Sequence, residues 1–176
     1  MSDALDNYDI VEDQDTLAPN HALDIKDKTF VIDILNEKFE ISMSHFNIDE
    51  DNLDEEACML GQYMVYYGDI FAKARAVLAT EEHARKTAYS EIYINIKQQM
   101  RDHQSDLYKK INDKMTESYI DNWIVAMPEY TKIVYDEYKA RTIAFRAESW
   151  FKAIQKKADL LVMLGYRKNA EYKKGY

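Results

Sequence analysis

A chain of 176 residues, 47% hydrophobic and 31% charged, has the size and balance of one modest domain or of a helical core carrying a disordered tail. Four glycines and two prolines leave few turn signals, which disfavours a many-stranded sheet and favours long helices on short connections. The single cysteine, Cys58, can form neither an intramolecular disulfide nor a cysteine-based metal cage. Nor does the chain open on a basic-apolar leader or hold a run of about 18 apolar residues, so a cytoplasmic protein is expected, with no membrane partner.

The net charge of −9 conceals an asymmetry. Residues 1–60 carry 17 Asp/Glu against 3 Lys/Arg, net −14, whereas residues 61–176 carry 15 against 20, net +5. An acidic head on a basic body suits a protein whose body meets an anionic polymer, although acidic segments often serve only solubility.

In chain order, residues 1–22 are acidic with scattered apolar side chains (Leu5, Tyr8, Ile10, Val11, Leu17) and read as a disordered tail. Residues 23–176 read as one helical domain. Phe30–Phe46 is ambiguous: Phe30, Ile34, Leu35 and Phe39 fit a helix, which is the favoured reading, while FEISMSHF alternates like a strand. Acids at Asp54, Glu55 and Glu56 then mark a helix start near Asn52. Ala57, Leu60, Met64, Tyr67, Phe71, Ala74 and Leu78 form a stripe spaced by three and four that continues through Tyr89, Tyr93, Ile96 and Met100. The predicted helix covers about 52–100, some 65–70 Å at 1.5 Å per residue.

Residues 101–114 read as a polar connection, with a short helix around 106–111. A helix over 115–127 follows, with Thr116 as its cap and Ile120, Trp123, Ile124 and Met127 on its apolar side. Pro128 opens the last helix, predicted to run to Leu164 with Gly165 as its C-cap. Its Ala140, Ala144, Ala147, Phe151, Ile154, Ala158 and Leu161 keep a strict 4-3 spacing, the seam of a coiled coil, and are the candidate oligomerisation residues. A second apolar line, including Val134, Tyr138, Phe145 and Trp150, suggests packing inside the protomer on one side and self-association on the other; the alternative is a helix simply buried in one bundle. The expected fold is all-α and elongated.

No phosphate loop, dinucleotide fingerprint, nucleophile elbow or HExxH motif occurs. The histidines His21, His45, His83 and His103 are scattered, and Glu81-Glu82-His83 reads as a solvated helix face sooner than a metal corner. A non-enzymatic protein without cofactor or metal is expected. Binding remains: Arg85, Lys86, Lys97 and Arg101 interleave with Tyr89 and Tyr93, the mixture that contacts phosphates and stacks on unpaired bases. A second basic set runs from Lys139 to Lys174. The bland alternative is that these are ordinary solvated faces, with the tyrosines serving as core.

The segment IDEDNLDEEA (Ile48–Ala57) resembles the start of the long helix in UvsY-like phage recombination mediators, which often carry IDxxNLDEE. The order of parts is similar too: a basic-tyrosine segment RKTAYSEIYINIK (Arg85–Lys97), AMPEY (Ala126–Tyr130) at a turn, and LGYRKNAEYKK (Leu164–Lys174) in place of the family's RGFxIKNxIEWxKF. The resemblance covers roughly 30–174. It departs in having Ile92-Tyr93 where a tyrosine pair is common, and in its long acidic head. It implies a homo-oligomer, a ring built through C-terminal helices, that binds single-stranded DNA without sequence preference and helps a phage recombinase displace the single-strand-binding protein during recombination, repair and replication. The implied DNA contacts map nearest to Arg85 and Lys86 with Tyr89 and Tyr93. The rival reading is an oligomeric helical scaffold protein of a phage, with no DNA affinity.

Overall fold

The computed structural model describes residues 28–102, 105–107 and 116–175. The acidic tail expected over 1–22, most of the connection 101–114, and His21 and His103 lie outside the described residues; of the short helix expected around 106–111, Asp106 and Leu107 are described and helical. The elements are strands β1 (Thr29–Ile34) and β2 (Glu37–Ser42), a 3-10 turn (Met43–Phe46), and helices α1 (Leu53–Arg101), α2 (Glu117–Ala126) and α3 (Pro128–Lys173). Helix dominates, as the scarcity of glycine and proline predicts. No described helix is long and apolar enough to cross a membrane.

The favoured helix at Phe30–Phe46 is corrected to an antiparallel hairpin followed by the 3-10 turn, in register Phe30↔Ile41, Ile32↔Phe39 and Ile34↔Glu37. The period of two decides it: Ile32, Ile34, Phe39 and Ile41 are all buried on one face. Leu35, taken as part of a helical stripe, instead sits exposed in the two-residue loop at φ 57°, beside Asn36 at φ 63°. Two consecutive left-handed residues make the mirror-image turn whose twist matches a hairpin.

The described residues pack as two compact units, 28–75 with 143–175 in the first and the remainder up to 142 in the second; α1 and α3 contribute to both. In the first, the hairpin's apolar face and Tyr67, Ile70 and Ala74 of α1 share the buried core with Ala144, Ala147, Ile154 and Leu161 of α3. Phe71 stacks on Phe151 at 5.9 Å. In the second, Ile96 of α1 packs with Ile120 and Ile124 of α2 and with Tyr130 of α3.

The helix ends follow local chemistry. Asn52 accepts the amide of Glu56 at 3.0 Å, and Asp54, Glu55 and Glu56 place charge at the positive end of α1. Thr116 caps α2 by accepting from the Tyr119 amide, and Pro128 is the first residue of α3. The end expected at Gly165 is corrected: α3 runs on to Lys173, and the left-handed glycine beyond it is Gly175 at φ 76°. Residues 166–173 contain no proline and carry good helix formers, so nothing local stops the helix at Gly165.

Candidate nucleic-acid interface

Lys86, Tyr89, Tyr93, Lys97 and Arg101 recur every three or four residues along α1 and therefore share one side of it. Tyr89 and Tyr93 lie 6.2 Å apart with nearly parallel rings, and the Lys97 ammonium sits 5.4 Å from the Tyr93 ring centre. Lys97 and Arg101 also edge a surface depression of about 410 Å³, lined by Tyr93, Ile94 and Gln98 as well. Cations thus flank a pair of tyrosine rings along one helical stripe.

Helix α2 brings two carboxylates to the same stripe. Tyr89 donates to Asp121, while Tyr93 and Lys97 both donate to Glu117. The hydrogen bond to the Asp121 carboxylate pushes the Tyr89 phenol up to about 12. Lys97, and then Tyr93, hold Glu117 below the usual carboxylate range, and Glu117 in turn raises Lys97. Glu117 and Asp121 are exposed, whereas Lys97, Tyr89 and Tyr93 are half-buried and the two rings also pack against the core of Ile96, Ile120, Ile124 and Tyr130; the Lys97–Glu117 pair is the one most open to exchange with ions.

Arg85 is a different kind of residue from its neighbours. It pairs with Glu137, which is only 6% exposed, and Arg141 closes on the same carboxylate at 2.6 Å while reaching Glu82 at 3.3 Å. Hydrogen bonds with Tyr130 and Glu137 raise the Arg85 guanidinium. Arg85 therefore neutralises a buried acid between α1 and α3. Lys86 and Arg101 are exposed and have no acidic partner among the described residues.

The candidate oligomerisation seam is placed inside the protomer. Ala140, Ala144, Ala147, Ile154 and Leu161 are buried within the single chain, Phe151 is stacked on Phe71, and Ala158 is half-buried. The alanines allow close approach of α3 to α1, and the 4-3 spacing is satisfied by that intrachain contact. The second apolar line is largely uncovered, with Val134, Tyr138 and Phe145 exposed and Trp150 half-buried.

Sequence reasoning passed over a polar cluster in the first unit. Lys157 is 2% exposed; its Nζ lies 2.6 Å from Glu56, donates to the His45 carbonyl at 3.0 Å and stands 5.3 Å from the Tyr63 ring centre. His45 stacks on Tyr63 at 4.5 Å, and its Nδ1 hydrogen-bonds with the Tyr67 hydroxyl at 3.0 Å. The signal was present in the chain: Lys157 falls three residues after Ile154 and four before Leu161, on the buried side of the helix. Among the described residues no group of three His, Cys, Asp or Glu side chains is disposed to hold a metal ion.

Comparison of the chain with known protein families, with curated proteins and with solved structures finds no match.

Proposed function

We propose that the chain is a non-catalytic recombination mediator of the UvsY type, which binds single-stranded DNA without sequence preference and helps load a phage recombinase onto strands covered by single-strand-binding protein. The observation that supports this reading is the stripe Lys86, Tyr89, Tyr93, Lys97 and Arg101, in which exposed Lys86 and Arg101 and half-buried Lys97 flank two half-buried tyrosine rings along α1. Phosphates would pair with Lys86 and Arg101, which have no acidic partner among the described residues, and exchange with Glu117 at Lys97, while unstacked bases would meet the outward part of the rings. Arg85 would act indirectly, by holding the helix that carries the stripe.

Self-association would fall to the exposed Val134, Tyr138 and Phe145 of α3, because the alanine seam is occupied within the protomer. Many weak sites on one assembly would then raise avidity without any strong single site.

The rival scaffold reading draws on one specific observation: Asp121 and Glu117 already engage Tyr89, Tyr93 and Lys97. Anisotropy of a labelled poly-dT oligomer at low and high salt separates the two, comparing the native chain with Lys86→Ala/Arg101→Ala. The mediator reading expects salt-sensitive binding that weakens in the variant, with the logarithmic salt slope reduced by about 1.4, roughly 0.7 for each lost phosphate contact. Absence of binding at low salt leaves the scaffold.

A further inference from the structure

The last turns of α3 present an unusual surface. Leu161 is the last buried residue of the helix, yet the helix continues to Lys173 and carries Leu160, Val162, Met163 and Tyr166 exposed at 50, 58, 66 and 72%. At 100° per residue these four fall within one side of the helix, together with Lys156, Arg167, Lys173 and Lys174, with the exposed Asp159 among them and Glu171 at the edge. Lys156, Lys173 and Lys174 have no carboxylate partner among the described residues, and Arg167 pairs only with the exposed Glu171 on its own helix. The face is thus apolar and, with four cations against Asp159 and Glu171, net basic, and nothing in the described chain covers it.

We propose that this face is the docking site for the chain's own acidic head, residues 1–27, bound in cis. That segment carries 8 Asp/Glu and one lysine, interleaved with Leu5, Tyr8, Ile10, Val11 and Leu17, so its chemistry is complementary to the face in both charge and apolarity. The point of departure is also right. The Lys28 carbonyl accepts from the Met43 amide at 2.9 Å, next to the 3-10 turn whose His45 carbonyl receives Lys157 of α3. From there the face begins at Lys156 and runs about 27 Å along the helix to Lys174. Twenty-seven residues reach up to about 90 Å when extended, ample for the span.

Tethering makes a weak contact sufficient. A segment joined to its site by a short flexible linker acts at an effective concentration in the millimolar range, so contacts that would not hold between separate molecules close within one. Burial of Met163 and Tyr166 against the head's apolar residues supplies attraction that salt does not screen, and the lysines supply register. The same lysines would otherwise face anionic ligands, so the head occupies in cis a surface that a polyanion would compete for.

The test is carbodiimide cross-linking of carboxylates to amines in the full chain, read by mass spectrometry on a mixture of isotopically light and heavy protein. Links from Asp3–Asp15 to Lys156, Lys173 or Lys174 are expected within single-isotope chains, with a yield independent of protein concentration. The exposed double variant Met163→Asp/Tyr166→Asp should lower that yield by about fivefold or more, the scale set by losing the burial of two apolar side chains. Links that join light to heavy chains would assign the face to a second copy and overturn the proposal. So would an unchanged yield in the variant, or equal linking of the head to exposed lysines elsewhere such as Lys86 and Lys132.

Discussion

The Nζ of Lys157 lies 2.6 Å from the Glu56 carboxylate, joining the C-terminal half of α3 to the first turn of α1 beneath the 3-10 turn that carries His45. A lysine this buried is tolerated because its donors are satisfied: the carboxylate, the His45 carbonyl and the nearby Tyr63 ring replace the water it has lost. Lys157→Met is expected to lower unfolding free energy by about 2–3 kcal/mol, below the ~3–5 typical of breaking a fully buried pair, because Glu56 keeps some access to water. Adding Glu56→Gln should recover part of that loss. Urea unfolding of both variants checks it; equal stability of Lys157→Met and the native chain would remove the cluster from the folding core.

The same cluster sets a pH dependence. Burial, and then the positive Lys157, hold His45 below its ordinary value of 6.5; Tyr63 and Tyr67 face the ring, and Glu56 reaches it only through Lys157. The unfolded chain therefore takes up the proton more readily than the folded one. Stability contributed by neutral His45 is complete above about pH 6.5 and is lost as pH falls through the depressed folded value. The urea midpoint should drop between neutral pH and about pH 5.5, above the range where ordinary carboxylates titrate. His45→Gln should flatten that slope, and an unaltered slope would assign the dependence to another group.

The alanine seam invites a substitution whose two outcomes differ in kind. Ala147 is fully buried inside the protomer, so Ala147→Leu overpacks the core and should cost about 1–3 kcal/mol without altering the mass of the species in solution. If the seam joined copies instead, the substitution would change the sedimentation coefficient.

How far the chain announced its fold depends on the element. The long stripes of α1 and α3 were legible because period 3.6 over more than 40 residues has few competing explanations, and Thr116 and Pro128 carry their positions in their chemistry. The hairpin was not, because Ile34 and Leu35 are adjacent apolar residues that fit a helix. Only the left-handed backbone of Leu35-Asn36, a conformation leucine rarely adopts, turns the chain back. At the candidate interface the spacing of cations and tyrosines was readable from α1 alone. What could not be read is that α2 and α3 bring Asp121, Glu117 and Glu137 against them, since these pairings span 20 to 52 residues of sequence. A 4-3 seam, likewise, records that a helix meets another, not which chain the other belongs to.

Gly165 offers a direct test of where α3 ends. A glycine in the helix interior costs about 0.5–1 kcal/mol relative to alanine, and a Cβ at this position meets open space. Gly165→Ala is therefore expected to raise stability by up to that amount and to increase helical circular dichroism slightly. Had the residue been a left-handed cap, the same substitution would destabilise the protein.

Glu117 and Asp121 distinguish a binding stripe from a merely structural one. Both carboxylates lie at the stripe, Glu117 on Lys97 and Tyr93, Asp121 on Tyr89, where they lower the local positive potential and occupy groups that a DNA strand would use. Glu117→Gln/Asp121→Asn keeps the shapes and removes two negative charges. If the stripe binds single-stranded DNA, the variant should bind poly-dT about three- to tenfold more tightly at low salt, with the gain shrinking as salt screens the field. The substitutions also weaken the ties between α2 and α1, so a modest fall in thermal stability should accompany the gain. Lower stability with no change in DNA affinity would show the carboxylates acting only as ties between helices, and would remove the stripe as the DNA site.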